Sequence, residues 1–193
     1  ATTNQIKFTT NDMELGIETI VEGTIEEKGK VALDAKIFYE IIRRLPDNDV
    51  TIKTDDKYAA TITCEKAKFN IPGKSGEDFA YLPMIEKDEP LTISQYTLKE
   101  MIRQTIFSIA VNENNKLMTG ELFEIKNNCL KVVSLDGHRI SIRKMSLKKD
   151  YSDRKVVVPG KTLSEVSKIL SGEVDDQVSI YFTKNHILFE FDQ

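Results

Sequence analysis

The chain has 193 residues, with 27 Lys and Arg against 31 Asp and Glu, a formal net charge of −4, 40% hydrophobic residues and no Trp. That length holds one sizeable core or two small ones. The composition excludes collagen-like, low-complexity and disordered classes. No stretch approaches the ~18 consecutive apolar residues that span a bilayer, and Ala1-Thr2-Thr3-Asn4-Gln5 lacks the charged and apolar regions of a signal peptide. Cys64 and Cys129 form neither a metal-type pair nor a disulfide framework, so reducing cytoplasm is the expected compartment. The charge is uneven: residues 1–89 hold 12 basic and 18 acidic side chains, residues 90–193 hold 15 and 13. Bulk attraction to a polyanion is therefore excluded, and any such contact must rely on local patches.

In chain order, β-branched, period-two runs predict strands at Gln5–Thr9, Gly16–Glu22, Val50–Thr54 and Ala60–Glu65. Further strands are predicted at Leu122–Ile125, Leu130–Ser134, Ile140–Arg143, Lys155–Val158, Val178–Phe182 and Ile187–Phe191. Three helices interrupt them. Phe38, Ile41, Ile42 and Leu45 recur at helical spacing and stop at Pro46. Leu98, Met101, Ile102, Thr105 and Ile109 share a second face, with Ser94 or Thr97 as N-cap. Leu163, Val166 and Leu170 share a third, opened by Pro159-Gly160 and closed by Gly172. Many strands with few helices imply an α+β fold of antiparallel sheets.

The chain also resembles itself. Val31–Leu45 and Val156–Leu170 align at an offset of 125, with identities at Val31/Val156, Lys36/Lys161, Glu40/Glu165 and Leu45/Leu170. Upstream, Ile6-Lys7-Phe8 leading to Asp12 mirrors Leu130-Lys131-Val132 leading to Asp136. The same order on both flanks implies two tandem copies of one domain. Residues 90–128 and 66–89 lack counterparts, so the first copy is expected to be cut at its N-terminus and the second at its C-terminus. The boundary is expected near Asp88-Glu89-Pro90, giving domains 1–89 and 90–193, after a turn-forming stretch at Pro72–Asp78.

Few motifs carry chemistry. Gly73-Lys74-Ser75 lacks the glycine a phosphate loop needs, since Lys68 stands there, and Pro83 denies it a following helix. Asp136-Gly137-His138-Arg139 joins two strands and reads as a hairpin turn. It also presents His138 and Arg139 on a loop, where binding residues concentrate. An enzyme built on Asp136 and His138 needs a second catalytic cluster, and only His186 remains, in another hairpin turn. Neither His has ligands at metal spacing. No cofactor or metal is expected. Opposite the apolar stripes lie Lys36, Glu40, Arg43 and Arg44, then Lys99 and Arg103, then Lys161, Glu165 and Lys168. Such faces ordinarily serve solubility. The recurrence of Lys36/Lys161 and Arg43/Lys168 instead suits a repeated surface lining a polyanion.

Ser134-Leu135-Asp136-Gly137-His138-Arg139-Ile140, preceded by Asn115-Lys116-Leu117-Met118-Thr119-Gly120 and followed by Val156-Val157-Val158-Pro159, resembles the second domain of the bacterial DNA sliding clamp family, the β subunits of replicative DNA polymerase III. Thr10-Asn11-Asp12-Met13-Glu14 and Phe69-Asn70-Ile71-Pro72 are similar to its first domain. The resemblance implies tandem clamp domains, each two helices backed by antiparallel sheets. Two subunits then close into a homodimer ring with helices around duplex DNA.

It implies a non-enzymatic processivity factor whose partners are DNA, the polymerase catalytic subunit, the clamp loader and repair proteins, without a membrane. The implied DNA-facing residues are Lys36, Arg43, Lys99, Arg103, Lys161 and Lys168. The implied groove for short apolar partner peptides comprises Leu117, Met118, Leu135, Gly137, His138, Arg139 and Ile140. Leu135 stands where the family often has Thr, and Asn115 where Arg is common. The implied dimer seam lies on an edge strand with Lys66, Phe69 and Ile71. A protein-interaction domain without a nucleic-acid role is the alternative, ahead of the enzyme reading.

Overall fold

The computed structural model describes residues 4–111 and 114–192; Ala1, Thr2 and Thr3 of the opening segment lie outside them. The chain divides into two compact units between Pro83 and Met84, ahead of the boundary expected at Glu89–Pro90. The stretch before Pro90 belongs with the second unit because Lys87 pairs with Glu190 and lies 5.9 Å from the Tyr181 ring centre.

The first unit opens with an antiparallel hairpin, β1 (Gln5–Asn11) and β2 (Gly16–Glu22). Next come β3 (Val31–Leu33) and helix α1 (Ala35–Ile42). Asp34 caps α1, its carboxylate accepting the Ile37 N–H at 2.8 Å. The helix ends in turn bonds from Arg44 to Ile41 and Leu45 to Ile42, before Pro46 removes the next donor. Strands β4 (Thr51–Thr54), β5 (Ala60–Cys64) and β6 (Ala67–Ile71) form a three-stranded sheet with β6 at one edge. The buried apolar side chains of this unit are Ala60, Ile62, Cys64 and Ile71. Pro72–Asp78 is not the simple turn expected from its composition. Gly73–Ser75 forms β7, paired antiparallel with β3, and Gly76–Asp78 makes one 3₁₀ turn.

The second unit begins with β8 (Leu91–Ser94) and α2 (Gln95–Arg103). Four strands follow: β9 (Gly120–Lys126), β10 (Cys129–Leu135), β11 (Ile140–Ser146) and β12 (Arg154–Pro159). Helix α3 (Gly160–Ile169) leads to β13 (Gln177–Phe182) and β14 (Ile187–Glu190). The strands build two antiparallel sheets, ordered β11-β10-β9-β12 and β14-β13-β8. Leu98, Met101 and Ile102 of α2 and Leu163 and Val166 of α3 pack with Phe123, Leu130, Val132, Val178 and Ile180 in one core. Burying each such side chain contributes about 1.5–3 kcal/mol.

Two expected helix limits differ. Helix α2 ends at Arg103, and Ile109 follows a separate 3₁₀ turn at Ile106–Ser108. The hydroxyl of Thr105 donates back to the Met101 carbonyl at 2.8 Å, and φ there is −124°, which breaks the helical path. Helix α3 ends before Gly172, because Leu170 is already extended with ψ 138°.

Both units repeat a strand–helix–strand–strand order, β3-α1-β4-β5 and β12-α3-β13-β14, each preceded by a hairpin. Among the described residues no helix is long and apolar enough to cross a membrane.

Candidate functional site

Strands β10 and β11 meet at the Asp136–Arg139 turn, in register from Leu135 against Ile140. Gly137 has φ +87°, a conformation that costs an L side chain and that glycine adopts freely. The Asp136 carboxylate accepts the N–H groups of His138 and Arg139, both at 3.1 Å, and the Arg139 Nε–H at 2.8 Å. The His138 N–H, followed by the Arg139 groups, holds Asp136 below the usual carboxylate range. Its oxygens therefore serve the turn, an arrangement that disfavours a proton-transfer role.

The turn is lashed to the end of α2. Ser134 Oγ donates to the Thr105 carbonyl at 2.5 Å, and Ser141 Oγ donates to that of Gln104 at 2.8 Å. This places Phe107, which the sequence reading missed, beside the turn: the Arg139 guanidinium lies 5.9 Å from its ring centre. Phe107 lies off the apolar face that runs from Leu98 to Ile109 in the sequence, so no spacing rule singles it out. Leu117 and Met118 occupy a 3₁₀ turn, Lys116–Thr119, capped by Asn115, whose side-chain oxygen accepts the Leu117 N–H at 3.1 Å. The Met118 methyl carbon lies within 4.0 Å of where a side chain on Gly137 would begin. Ile140 is 61% exposed, Leu117 67% and Phe107 58%, so the turn is ringed by uncovered apolar surface.

The helix cations are not equivalent. Lys36, Arg43, Arg103, Lys161 and Lys168 are exposed. Lys99 is half-buried and its ammonium donates to the Leu170 carbonyl at 2.9 Å, capping the end of α3. This corrects the expectation of a solvent-facing Lys99: the ammonium satisfies an orphan carbonyl inside the second unit. Arg43 and Lys168 contact Glu40 and Glu165 at 3.2 and 2.7 Å, and Arg103 forks onto Glu100 at 2.8 and 2.7 Å. The Arg103 bond holds the Glu100 carboxyl below its ordinary range.

Along β6, Ala67, Phe69 and Ile71 share one face by strand alternation. Phe69 is exposed, but Ile71 is only 1% exposed and opposes Ala60 in the core. The expectation that Ile71 is offered to a partner is corrected: its side chain is consumed within the first unit. Lys66 lies in the tight β5–β6 turn beside Glu65, whose φ is +50°.

Two units built on one strand–helix–strand–strand plan, with helices packed on antiparallel sheets, define the DNA-clamp fold. Residues 1–83 match the DNA polymerase III beta subunit N-terminal domain, and residues 92–193 match its central domain. The chain belongs to the DNA polymerase III beta subunit family. It is 33% identical over 196 residues to the beta sliding clamp of Halalkalibacterium halodurans, covering 96% of this chain and 51% of that protein. An Eubacterium rectale crystal structure assigned as a DNA polymerase III beta subunit is 67% identical, with a TM-score of 0.94, over 98% of this chain and 52% of that one. The Bacillus subtilis DNA polymerase sliding clamp gives 33% identity and a TM-score of 0.92, over 98% and 52%. The chain thus spans about half the length of the relatives it matches.

Proposed function

We propose that this chain is the DNA-encircling part of a non-enzymatic processivity factor, a tether that keeps a replicative polymerase on duplex DNA in the cytoplasm. The observation that carries this reading is the repeated strand–helix unit, which sets exposed cations at matching places, Lys36/Lys161 and Arg43/Lys168, in a chain of net charge −4. Cations spaced along helix faces meet phosphates without reading bases. Such binding is non-specific, with a Kd of about 10⁻⁴–10⁻⁶ M, and weakens as salt rises. Retention then comes from topology in a closed ring of two subunits, with Phe69 on the edge strand β6 and Lys66 in the turn before it at the seam.

The Asp136–Arg139 turn, with Leu117, Met118, Leu135, Ile140 and Phe107 around it, serves as one wall of a groove for short apolar peptides from polymerase, clamp loader and repair proteins. Removing most of the Ile140 side chain should weaken such a peptide about ten-fold, since one aliphatic contact is worth about 1.5–3 kcal/mol. Unchanged peptide affinity in Ile140→Ala, measured by titration calorimetry on a chain of the relatives' full length, removes this surface from the groove. The tether is tested on the same full-length chain. It should stay on circular DNA and leave once the circle is linearised; equal retention on both forms refutes it.

A further inference from the structure

The three helices carry the same charge pair at the same helical position. Counting from the first helical residues Ala35, Gln95 and Gly160, the glutamates Glu40, Glu100 and Glu165 each fall in the sixth place. Each has a cation three residues on: Arg43, Arg103 and Lys168. The N–O distances are 3.2, 2.7 and 2.7 Å. Glu40 also takes Arg44 at 2.9 Å. The third instance, on α2, lies outside the 125-residue repeat, so the arrangement belongs to the strand–helix unit itself.

We propose that Glu40, Glu100 and Glu165 are built-in counter-ions, which compete with DNA phosphates for Arg43, Arg103 and Lys168 and hold this chain's grip on duplex DNA weak. The proposal rests on the reading that these helix faces meet DNA. Its physics is competition for one cation. Arg103 already spends Nε and a terminal nitrogen on Glu100 in a forked, charge-assisted pair. A phosphate that takes this guanidinium must displace the carboxylate or approach a like charge beside it. Duplex binding gains most of its free energy by releasing condensed counter-ions, one per phosphate neutralised. A cation neutralised by its own helix releases fewer. Affinity and its salt slope both fall, which suits a protein that must travel along DNA rather than grip one place. Helix stabilisation alone accounts for only a few tenths of a kcal/mol per exposed pair, and it does not call for the acid at the same place on every helix.

The test uses this 193-residue chain, a short fluorescent duplex and anisotropy across a salt series, with circular dichroism verifying the fold of each variant. Three triple variants are compared. The first, Glu40→Gln, Glu100→Gln and Glu165→Gln, removes the counter-ions. The second, Glu22→Gln, Glu26→Gln and Glu27→Gln, makes the same change of charge at exposed positions off the helices. The third, Arg43→Gln, Arg103→Gln and Lys168→Gln, removes the cations. The first should bind about ten-fold tighter or more, with a steeper salt slope, and the second should tighten far less. A first variant no tighter than the second overturns the proposal. If the third variant binds more weakly than the parent while the first does not tighten, only the counter-ion role falls. If the third binds as the parent does, the DNA-facing reading falls with it. Should the first variant fail to fold, Glu165→Gln alone carries the same comparison against Glu26→Gln.

Discussion

Asp12 and Asp136 make the same turn in the two units. Oδ1 of Asp12 accepts the N–H groups of Glu14 and Leu15 at 3.1 and 2.8 Å, as Oδ1 of Asp136 accepts those of His138 and Arg139. The next residue has positive φ in both, +74° at Met13 and +87° at Gly137. The hairpins differ in that one places an L side chain in the left-handed region. Gly137→Met should therefore cost about 1 kcal/mol, whereas Met13→Gly should cost nothing. Urea titration of both variants checks this; equal losses would refute the equivalence of the turns.

Ionisation of Asp136 carries its own pH signature. Its folded pKa is lowered, chiefly by the His138 N–H. Its contribution to stability is present above the unfolded value near 3.8 and is lost as pH falls through the lower folded value. Asp136→Asn, which keeps an acceptor without the charge, should flatten the stability profile at the acid end. Thermal melts from pH 5 down to pH 2 report it.

Glu121 shows the opposite sign. It lies on β9 opposite Val158, fully buried, and neither carboxylate oxygen has a hydrogen-bond partner among the described residues. Burial pushes its pKa from 4.5 to about 7, while the Thr105 hydroxyl donates to the Met101 carbonyl instead. The folded state thus prefers the protonated form. Stability is unaffected below the unfolded pKa of 4.5, falls as pH rises towards 7, and is lower by about 3 kcal/mol above it. Glu121→Gln should remove that slope between pH 5 and 8 in denaturant titrations; an unchanged slope would show that the carboxyl finds a partner.

Lys99 and Arg103 should separate in a paired experiment. Lys99→Met strips the donor from the Leu170 carbonyl and should lower stability by about 1 kcal/mol, leaving duplex affinity unchanged. Arg103→Gln should do the reverse. Melting curves and anisotropy on both variants decide it.

Gln95 ties three elements together. Its side chain donates to the Gln177 carbonyl at 3.2 Å and accepts the Ser171 N–H at 2.8 Å, and the residue is 2% exposed. Gln95→Leu orphans both backbone groups and should cost about 2–4 kcal/mol. Chemical unfolding measures it, and a cost below 1 kcal/mol would mean the α2–β13 junction repacks.

The strands were legible where β-branched residues alternate: Gly16–Glu22 was predicted at its observed limits, and Leu130–Ser134 lengthened by one residue at each end. Short strands escaped. Val31–Leu33 and Gly73–Ser75 each carry too few residues to show a period and exist because they pair with each other. The Asp136–Arg139 turn was legible because its glycine and acid act locally. Phe107, Glu121 and the α3-capping role of Lys99 were not, since each is defined by a neighbour remote in sequence.

In the second unit the first strand of each half lies in the other half's sheet: β8 pairs with β13, and β12 pairs with β9. Neither half can complete a sheet by itself. A nascent chain must reach Gln177–Ile180 before Leu91–Ser94 finds its partner, so most of the unit waits on its last strands. Opening either sheet then strips an edge from the other half as well, and amide exchange should release both sheets in one step rather than two.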